Sequence, residues 1–171
     1  MPQYTDDYIR NILRSTKTIA MVGASANEMR PSHFAMKYLL DKGFVIRPVN
    51  PTLTGKEILG QKVYGSLHDV PVPIDMVDIF RASDAAPGVV REALAEKDRL
   101  GIRTIWMQLG VISEEAAMLA QDAGLNVVMD RCPKIEYGRM SGEISWMGVN
   151  RKLVDNRKPL LFSKGGALKR S

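Results

Sequence analysis

The segment TIAMVGASANEMRPS, residues 18–32, decides the fold because it joins a strand to a helix through a turn of small residues. Its first five residues are apolar or β-branched, which is typical of a buried strand. In the turn Gly23-Ala24-Ser25, backbone N–H groups can approach an anion, and Ser25 adds a hydroxyl. The helix start contributes partial positive charge, and Arg30 contributes a full one. This pattern predicts a phosphate-binding turn in a domain that handles a nucleotide.

Strand and helix patterns alternate along the rest of the chain. Predicted strands cover residues 18–22, 44–49, 74–80, 102–107 and 125–129, and predicted helices cover 5–15, 32–42, 85–100 and 113–123. Strands that alternate with helices of this length form a parallel sheet covered on both faces. We therefore expect an α/β fold, doubly wound, with a mainly parallel five-stranded Rossmann-like sheet and helices on both faces. Residues 52–73 should hold little regular structure beyond a short turn.

The composition argues against several classes of protein. With 171 residues the chain can bury a sizeable core, and its single cysteine, Cys132, excludes an intramolecular disulfide. Ten methionines would be vulnerable in an oxidising compartment, so we expect a cytoplasmic protein. The N-terminal residues include acids and lack a continuous apolar run, which argues against a secretory signal. No window approaches the roughly 18 consecutive apolar residues of a membrane span.

The net charge of +5 belongs to the end of the chain. Residues 139–171 contain eight basic and two acidic residues, whereas residues 1–138 contain 16 basic and 17 acidic ones. We therefore predict a domain over 1–138 and a peripheral basic C-terminal extension over 139–171. A solvated basic tail is commoner than a nucleic-acid arm, so nucleic acid is not an expected partner. The apolar residues 160–162 leave simple packing and a homodimer open.

The carboxyl ends of the strands should form the ligand crevice, as in other open parallel sheets. Five segments follow the predicted strands and are named here the strand-end rim: Gly23-Ala24-Ser25, Asn50-Pro51, Phe80-Arg81, Gln108-Leu109-Gly110 and Asp130-Arg131-Cys132. Arg81 could supply a further cation, and Gln108 could line the crevice. Simpler roles are open too, since Arg30 and Arg81 could be solvated charges and Gly110 could serve only a turn.

Other chemistry finds less support in the sequence. The dinucleotide fingerprint GxGxxG would need glycines where Ser25 and Glu28 stand, and the second strand ends in Asn50 where an NAD enzyme places an acid. An NAD(P)-binding module is therefore the least favoured alternative. His33 and His68 lack metal-ligand spacing, which argues against a zinc site.

Four segments, taken in order, carry a family resemblance. They are KTIAMVGAS with RPS after it, GFVIRPVNP, VYGSLHDVPVPIDMVDIFR and IWMQLGVISEEAAMLAQDAGLNVVMDRCPKIEY, and they span residues 17–137. They resemble the stand-alone bacterial and archaeal CoA-binding proteins. These proteins are similar to the CoA-binding domain of the succinyl-CoA synthetase α subunit and of ADP-forming acyl-CoA synthetases. The resemblance implies a Rossmann-like fold whose strand-end rim binds coenzyme A.

The resemblance also implies which residues contact coenzyme A. The phosphates would be held by Gly23, Ala24, Ser25 and Arg30. The nucleotide pocket would be lined by Asn50 and Pro51 and flanked by Phe80 and Arg81. The pantetheine would be contacted by Gln108, Leu109 and Gly110.

Two departures from the synthetases bear on activity. Those enzymes use a phosphorylated histidine in a separate following domain, for which this sequence has no counterpart. They also place a lysine shortly after the second strand, where this chain has Thr52-Leu53-Thr54 and, slightly later, Lys56. We therefore expect a CoA-binding protein without catalysis of its own, acting as a binding or regulatory module. The alternative is a CoA-dependent ligase or transferase subunit that takes its catalytic residue from a partner chain.

Overall fold

The computed structural model describes residues 3–141. The apolar residues 160–162 and nearly all of the predicted basic extension lie outside the described residues. Among the described residues, none of the helices has the length and apolar character needed to cross a membrane.

The elements follow one another as alternating helices and strands, with one hairpin inserted. In chain order they are α1 (Asp6–Arg14), β1 (Thr18–Val22), α2 (Pro31–Asp41), β2 (Val45–Val49), β3 (Glu57–Ile58), β4 (Gln61–Lys62), β5 (Met76–Ile79), α3 (Ala86–Leu100), β6 (Thr104–Met107), α4 (Glu114–Asp122), β7 (Asn126–Val128) and α5 (Pro133–Met140). The main sheet has the order β2-β1-β5-β6-β7, and every pair of neighbours is parallel. This confirms the predicted doubly wound, five-stranded Rossmann-like fold.

Both faces of the sheet are buried, which is why the strands are continuous apolar runs rather than alternating ones. In β1, Ile19 and Met21 pack with the apolar residues of α1, α2 and α5. The alternate residues Ala20 and Val22 pack on the opposite face with α3 and α4. The two helical layers therefore enclose β1 from both sides and fix the start of the turn that follows it.

Residues 52–73 are more ordered than the sequence predicts, so that expectation was wrong. They contain the β3–β4 hairpin and two short 3-10 turns, at Pro51–Leu53 and Leu67–Asp69. The backbone of Tyr64 then extends the sheet beside β2. Its N–H donates to the Pro48 carbonyl and its own carbonyl accepts from Asn50 N–H, both at 2.9 Å. These two bonds fix the hairpin next to the carboxyl end of β2.

Helix α5 is a second element that was not predicted from the sequence. It begins at Pro133, where a missing N–H is harmless, and runs to Met140 across the domain boundary predicted at residue 138. Arg139 forms an ion pair with Asp6 at 3.0 Å, which joins α5 to the start of α1, and a second one within α5 with Glu136 at 2.8 Å. The division into a domain and an extension stays a prediction.

Two tyrosine hydroxyls cover the open edge of the sheet at β7. The Tyr8 hydroxyl donates to the Val127 carbonyl at 2.9 Å and accepts from the Val127 N–H at 3.0 Å. The Tyr4 hydroxyl accepts from Met129 N–H at 2.9 Å, and the two rings stack with centroids 5.7 Å apart. Edge strands with unpaired backbone groups invite pairing with other chains, so this contact protects the edge.

A buried carboxyl lies in the middle of the sheet. Asp78 in β5 is fully buried between Met21 and Trp106 in the strand register, and neither of its carboxyl oxygens has a hydrogen-bond partner. Burial raises the pKa of Asp78 well above its ordinary value of 3.8. Folding therefore takes up a proton at any pH between the ordinary pKa and the raised one, and the free energy of unfolding falls as pH rises through that interval.

We expect Asp78→Asn to raise the free energy of unfolding at pH 7, because an amide needs no proton to enter the sheet. The gain should shrink as pH is lowered toward 4. Between the raised pKa of Asp78 and its ordinary pKa, it should shrink by about 1.4 kcal/mol for each pH unit. Urea unfolding of both proteins at pH 4.5, 6 and 7.5 measures this difference. A difference that does not change with pH would contradict a neutral Asp78.

Candidate functional site

The turn after β1 passes very close to the end of β5. Gly23 has φ +93°, a left-handed conformation, and its N–H donates to the Val49 carbonyl at 2.9 Å. A Cβ at this position would clash with the Phe80 carbonyl group, lying 2.9 Å from its carbon atom, and would lie 3.1 Å from Cδ of Arg81. Only glycine fits both the conformation and the space. The turn is thus held against β2 on one side and β5 on the other.

The loop between Gly23 and α2 is fixed by its own side chains. The Ser25 N–H donates to Ser32 Oγ at 3.1 Å, while Ser25 Oγ accepts from Asn27 N–H at 3.0 Å. Asn27 Oδ1 in turn accepts from Met29 N–H at 2.9 Å. The Ser25 N–H is therefore directed into the loop. The hydrogen of the Ser25 hydroxyl is the donor of this residue that remains for a ligand.

Asn50 ties the end of β2 to the same loop. Its Nδ2 donates to the Ala24 carbonyl at 2.9 Å, and its Oδ1 accepts from Thr52 N–H at 2.9 Å and from the Thr52 hydroxyl at 2.8 Å. The amide of Asn50 thus positions the Gly23-Ala24-Ser25 turn. Pro51 follows it, exposed, at the start of a 3-10 turn.

The ends of β6 and β7 form the other half of the rim. Gly110, with φ +83°, donates its N–H to Asp130 Oδ1 at 2.7 Å, and its carbonyl accepts from the Ser83 hydroxyl at 3.2 Å. Leu109 is 53% exposed. Gln108 is buried, and its Oε1 has no hydrogen-bond partner. A buried amide oxygen without a donor is costly, so this atom is suited to receive a donor from a ligand.

The structure brings most of the predicted rim residues together. Gly23 touches Phe80 and Arg81, Ala24 is bonded to Asn50, and Gln108 N–H donates to the Ile79 carbonyl at 3.2 Å. The chain moves outward from β1 to β2 and returns to β5 on the other side of β1. The crevice of such a sheet lies at this reversal of strand order, between the loops after β1 and β5.

Arg30 stands apart from the strand ends as the N-cap residue of α2, with an exposed side chain. The first turn of α2 contains no acidic residue, and Pro31 occupies its first position. The helix dipole and the guanidinium therefore present positive charge that no carboxylate in that turn offsets.

Among residues 3–141, no group of three His, Cys, Asp or Glu side chains could hold a metal ion.

A pocket beside the rim was not predicted from the sequence. It has a volume of about 370 Å³ and lies between the β1–α2 loop, α2 and the β3–β4 hairpin, lined by Ala26, Glu28, His33, Lys37, Glu57, Ile58 and Leu59. The sequence does contain one signal for it, since His33 and Lys37 are four residues apart and share one face of α2. The hairpin that closes the pocket gave too short a pattern to be recognised.

The comparisons with known proteins agree with this geometry. The family model described as a CoA binding domain matches residues 17–138. The chain belongs to this CoA-binding domain family. The matched region contains every strand of the main sheet and the whole strand-end rim. The family match therefore includes the whole candidate site.

Two relatives resemble most of the domain. The uncharacterized protein YneT of Bacillus subtilis is 41% identical over 129 residues, which are 75% of this chain and 91% of that protein. The crystal structure titled hypothetical protein from Pyrococcus horikoshii OT3 has a TM-score of 0.74 at 36% identity, covering 81% of this chain and 98% of that one.

A third relative is a much longer enzyme. The ADP-forming acetate–CoA ligase of Methanocaldococcus jannaschii is 35% identical over 86 residues, which are 50% of this chain and 12% of that protein. The CoA-binding domain of this chain is thus related to ADP-forming acyl-CoA synthetases, as the resemblance implied.

Replacing Gly23 with alanine should lower the free energy of unfolding by about 3 kcal/mol or more, because the new methyl group meets the Phe80 carbonyl in addition to the left-handed strain. Gly101→Ala is the matched control, since Gly101 has φ +82° and a Cβ there meets nothing within 4 Å. The control should lose only about 1 kcal/mol. Equal losses in urea unfolding would contradict the close approach of Gly23 to β5.

Proposed function

We propose that this chain binds coenzyme A at the strand-end rim. The observation that carries the proposal is the glycine turn at the reversal of strand order, in a chain that belongs to the CoA-binding domain family. The pyrophosphate would lie at the Gly23-Ala24-Ser25 turn, near the positive end of α2. Small residues let the phosphates approach the turn, the Ser25 hydroxyl hydrogen remains there as a donor, and the tight loop needs little reorganisation on binding.

Two cations at the rim suit the charge of this ligand. Arg30 at the start of α2 and Arg81 after β5 are both exposed, and neither forms an ion pair with a carboxylate among residues 3–141. Guanidinium groups bind phosphate through paired hydrogen bonds. Asn50 and Pro51 would then line the pocket on the β2 side, and Phe80 would flank it.

The ends of β6 and β7 suit the pantetheine arm. Gln108 Oε1 is buried without a donor, and an amide N–H of the pantetheine would supply one. Leu109 presents an exposed apolar side chain beside it, and the Gly110 backbone borders the same space. A neutral chain with amides and apolar carbons therefore matches this half of the rim better than a second nucleotide would.

We propose further that the chain acts in the cytoplasm as a binding or regulatory module without catalysis of its own. The relationship to an ADP-forming acetate–CoA ligase favours a second candidate, a ligase or transferase subunit completed by a partner chain. The two candidates share the CoA site and differ in turnover. Incubation of the purified chain with acetyl-CoA, ADP and phosphate, alone and with a candidate partner chain, separates them.

Calorimetric titration with coenzyme A tests the binding proposal directly, with NAD as the control ligand. We expect saturable binding of coenzyme A with one site per chain and no heat with NAD, because the chain lacks the dinucleotide fingerprint. Saturable binding of NAD without binding of coenzyme A would overturn the proposal.

Arg30→Gln should weaken coenzyme A binding about 10- to 100-fold, because a charge-assisted hydrogen bond contributes about 1.5–3 kcal/mol. Arg14→Gln is the matched control, since Arg14 is an exposed arginine in the last turn of α1, just before the amino end of β1. It removes the same charge at the opposite edge of the sheet and should leave the Kd unchanged. Equal effects of both variants would show that only the net charge matters.

A further inference from the structure

The pocket between α2 and the hairpin is separate from the strand-end rim. Its walls come from the β1–α2 loop, α2 and the β3–β4 hairpin, and none of its lining residues belongs to a rim segment. Its volume of about 370 Å³ lies within the range of small-molecule sites. The pocket is therefore a second candidate binding site, and its own lining decides which ligand would fit.

Charged side chains of both signs line this pocket from different elements. Glu28 in the β1–α2 loop and Glu57 in β3 supply carboxylates. His33 and Lys37 supply basic groups from one face of α2. None of the four forms an ion pair with a residue in the described range 3–141. These groups are therefore available to a ligand that carries both a positive and a negative charge, whereas a phosphate would lie against two carboxylates.

The hairpin adds an apolar wall to the pocket and maintains it against a conformational penalty. Ile58 is buried, and Leu59 beside it is 38% exposed. Leu59 has φ +49° and Gly60 has φ +78°, so the hairpin turns through two left-handed residues. Asparagine and glycine suit such a turn, whereas a leucine is strained there. A strained and partly exposed leucine in a pocket wall points to a ligand with an apolar part.

We infer that this pocket binds a small zwitterion with an apolar body, of the class of an α-amino acid or a dipeptide. The ammonium group would lie between the carboxylates of Glu28 and Glu57. The carboxylate would lie beside Lys37 and His33, and the apolar side chain would pack on Leu59. Each charged end of the ligand would then form charge-assisted hydrogen bonds, which are the strong ones. The inference rests on the pocket alone and does not depend on the binding of coenzyme A.

Calorimetric titration of the full chain with L-leucine and with L-leucyl-L-leucine, at pH 7 and without coenzyme A, tests the inference. Two blocked analogues serve as controls, since leucinamide lacks the carboxylate and N-acetyl-leucine lacks the ammonium group. We expect saturable binding of a zwitterion with one site per chain. Each blocked analogue should bind about tenfold more weakly or worse, because it loses the hydrogen bonds of one charged end. The tighter of leucine and the dipeptide identifies the length of ligand that the pocket takes.

Two variants assign the charged ends to the two walls. Glu57→Gln should weaken the zwitterion about three- to tenfold and leave N-acetyl-leucine unchanged, since that analogue has no ammonium group. Lys37→Gln should weaken the zwitterion by a similar factor and leave leucinamide unchanged. The matched controls are Glu114→Gln in the first turn of α4 and Lys17→Gln before β1. Both residues are exposed and lie outside the pocket lining, so neither control should change a Kd.

The outcomes decide the inference separately from the proposed function. Absence of binding by both leucine and the dipeptide overturns it, whatever the affinity for coenzyme A. Equal binding of the zwitterions and their blocked analogues overturns it too, because the pocket then does not distinguish the two charges. Unchanged affinity in both Glu57→Gln and Lys37→Gln places the ligand elsewhere on the chain. The two side chains are exposed, so the variants should keep the Tm of the unaltered chain, and a loss of affinity at constant Tm reports the pocket.

Discussion

The contact between the Gly23 turn and the end of β5 is the constraint on which the site depends. Because β1 lies between β2 and β5, the chain leaving it must pass between two neighbouring strand ends. The missing side chain at Gly23 allows this passage at van der Waals distance from Phe80. The loops after β1 and β5 thereby border a single crevice, and the hydrogen bond from Asn50 to Ala24 adds the end of β2 to it. A bulkier turn would separate these loops and disperse the groups that face a ligand.

Much of this arrangement could be predicted because it depends on periodicity and topology. Apolar runs and helical spacing identify the five strands and the helices between them, and parallel strands place their carboxyl ends along one edge. The rim segments therefore followed from chain order alone. The direction of the Ser25 N–H did not, because Ser32 Oγ reaches it only once α2 has formed.

The hairpin and its pocket could not be predicted for a different reason. Each hairpin strand has two residues, which is too short for an alternating pattern, and Leu59 is a poor signal for a left-handed turn. The hairpin is held in place by backbone hydrogen bonds between Tyr64 and the end of β2. Any residue type can form such bonds, so the sequence does not indicate them. Helix α5 was missed because few of its positions suggest an amphipathic pattern, although its Tyr137 and Met140 are buried.

Asp78 and Gln108 are both buried without a hydrogen-bond partner for a side-chain oxygen, but only Gln108 lies where a ligand could supply one. Asp78 has only apolar neighbours, Met21 and Trp106, in its strand register, so protonation is its means of avoiding a buried charge. Gln108 lies one residue past β6, at the rim, where a ligand can supply the donor that its Oε1 lacks. Binding at the rim would therefore satisfy a group that the free protein leaves unpaired, and this coupling would stabilise the folded state as the ligand concentration rises. Under the proposed function, the same edge of the sheet would carry both the groups that bind the ligand and an unpaired oxygen that binding satisfies, which is the balance expected of a preformed ligand site rather than of a domain optimised for stability alone.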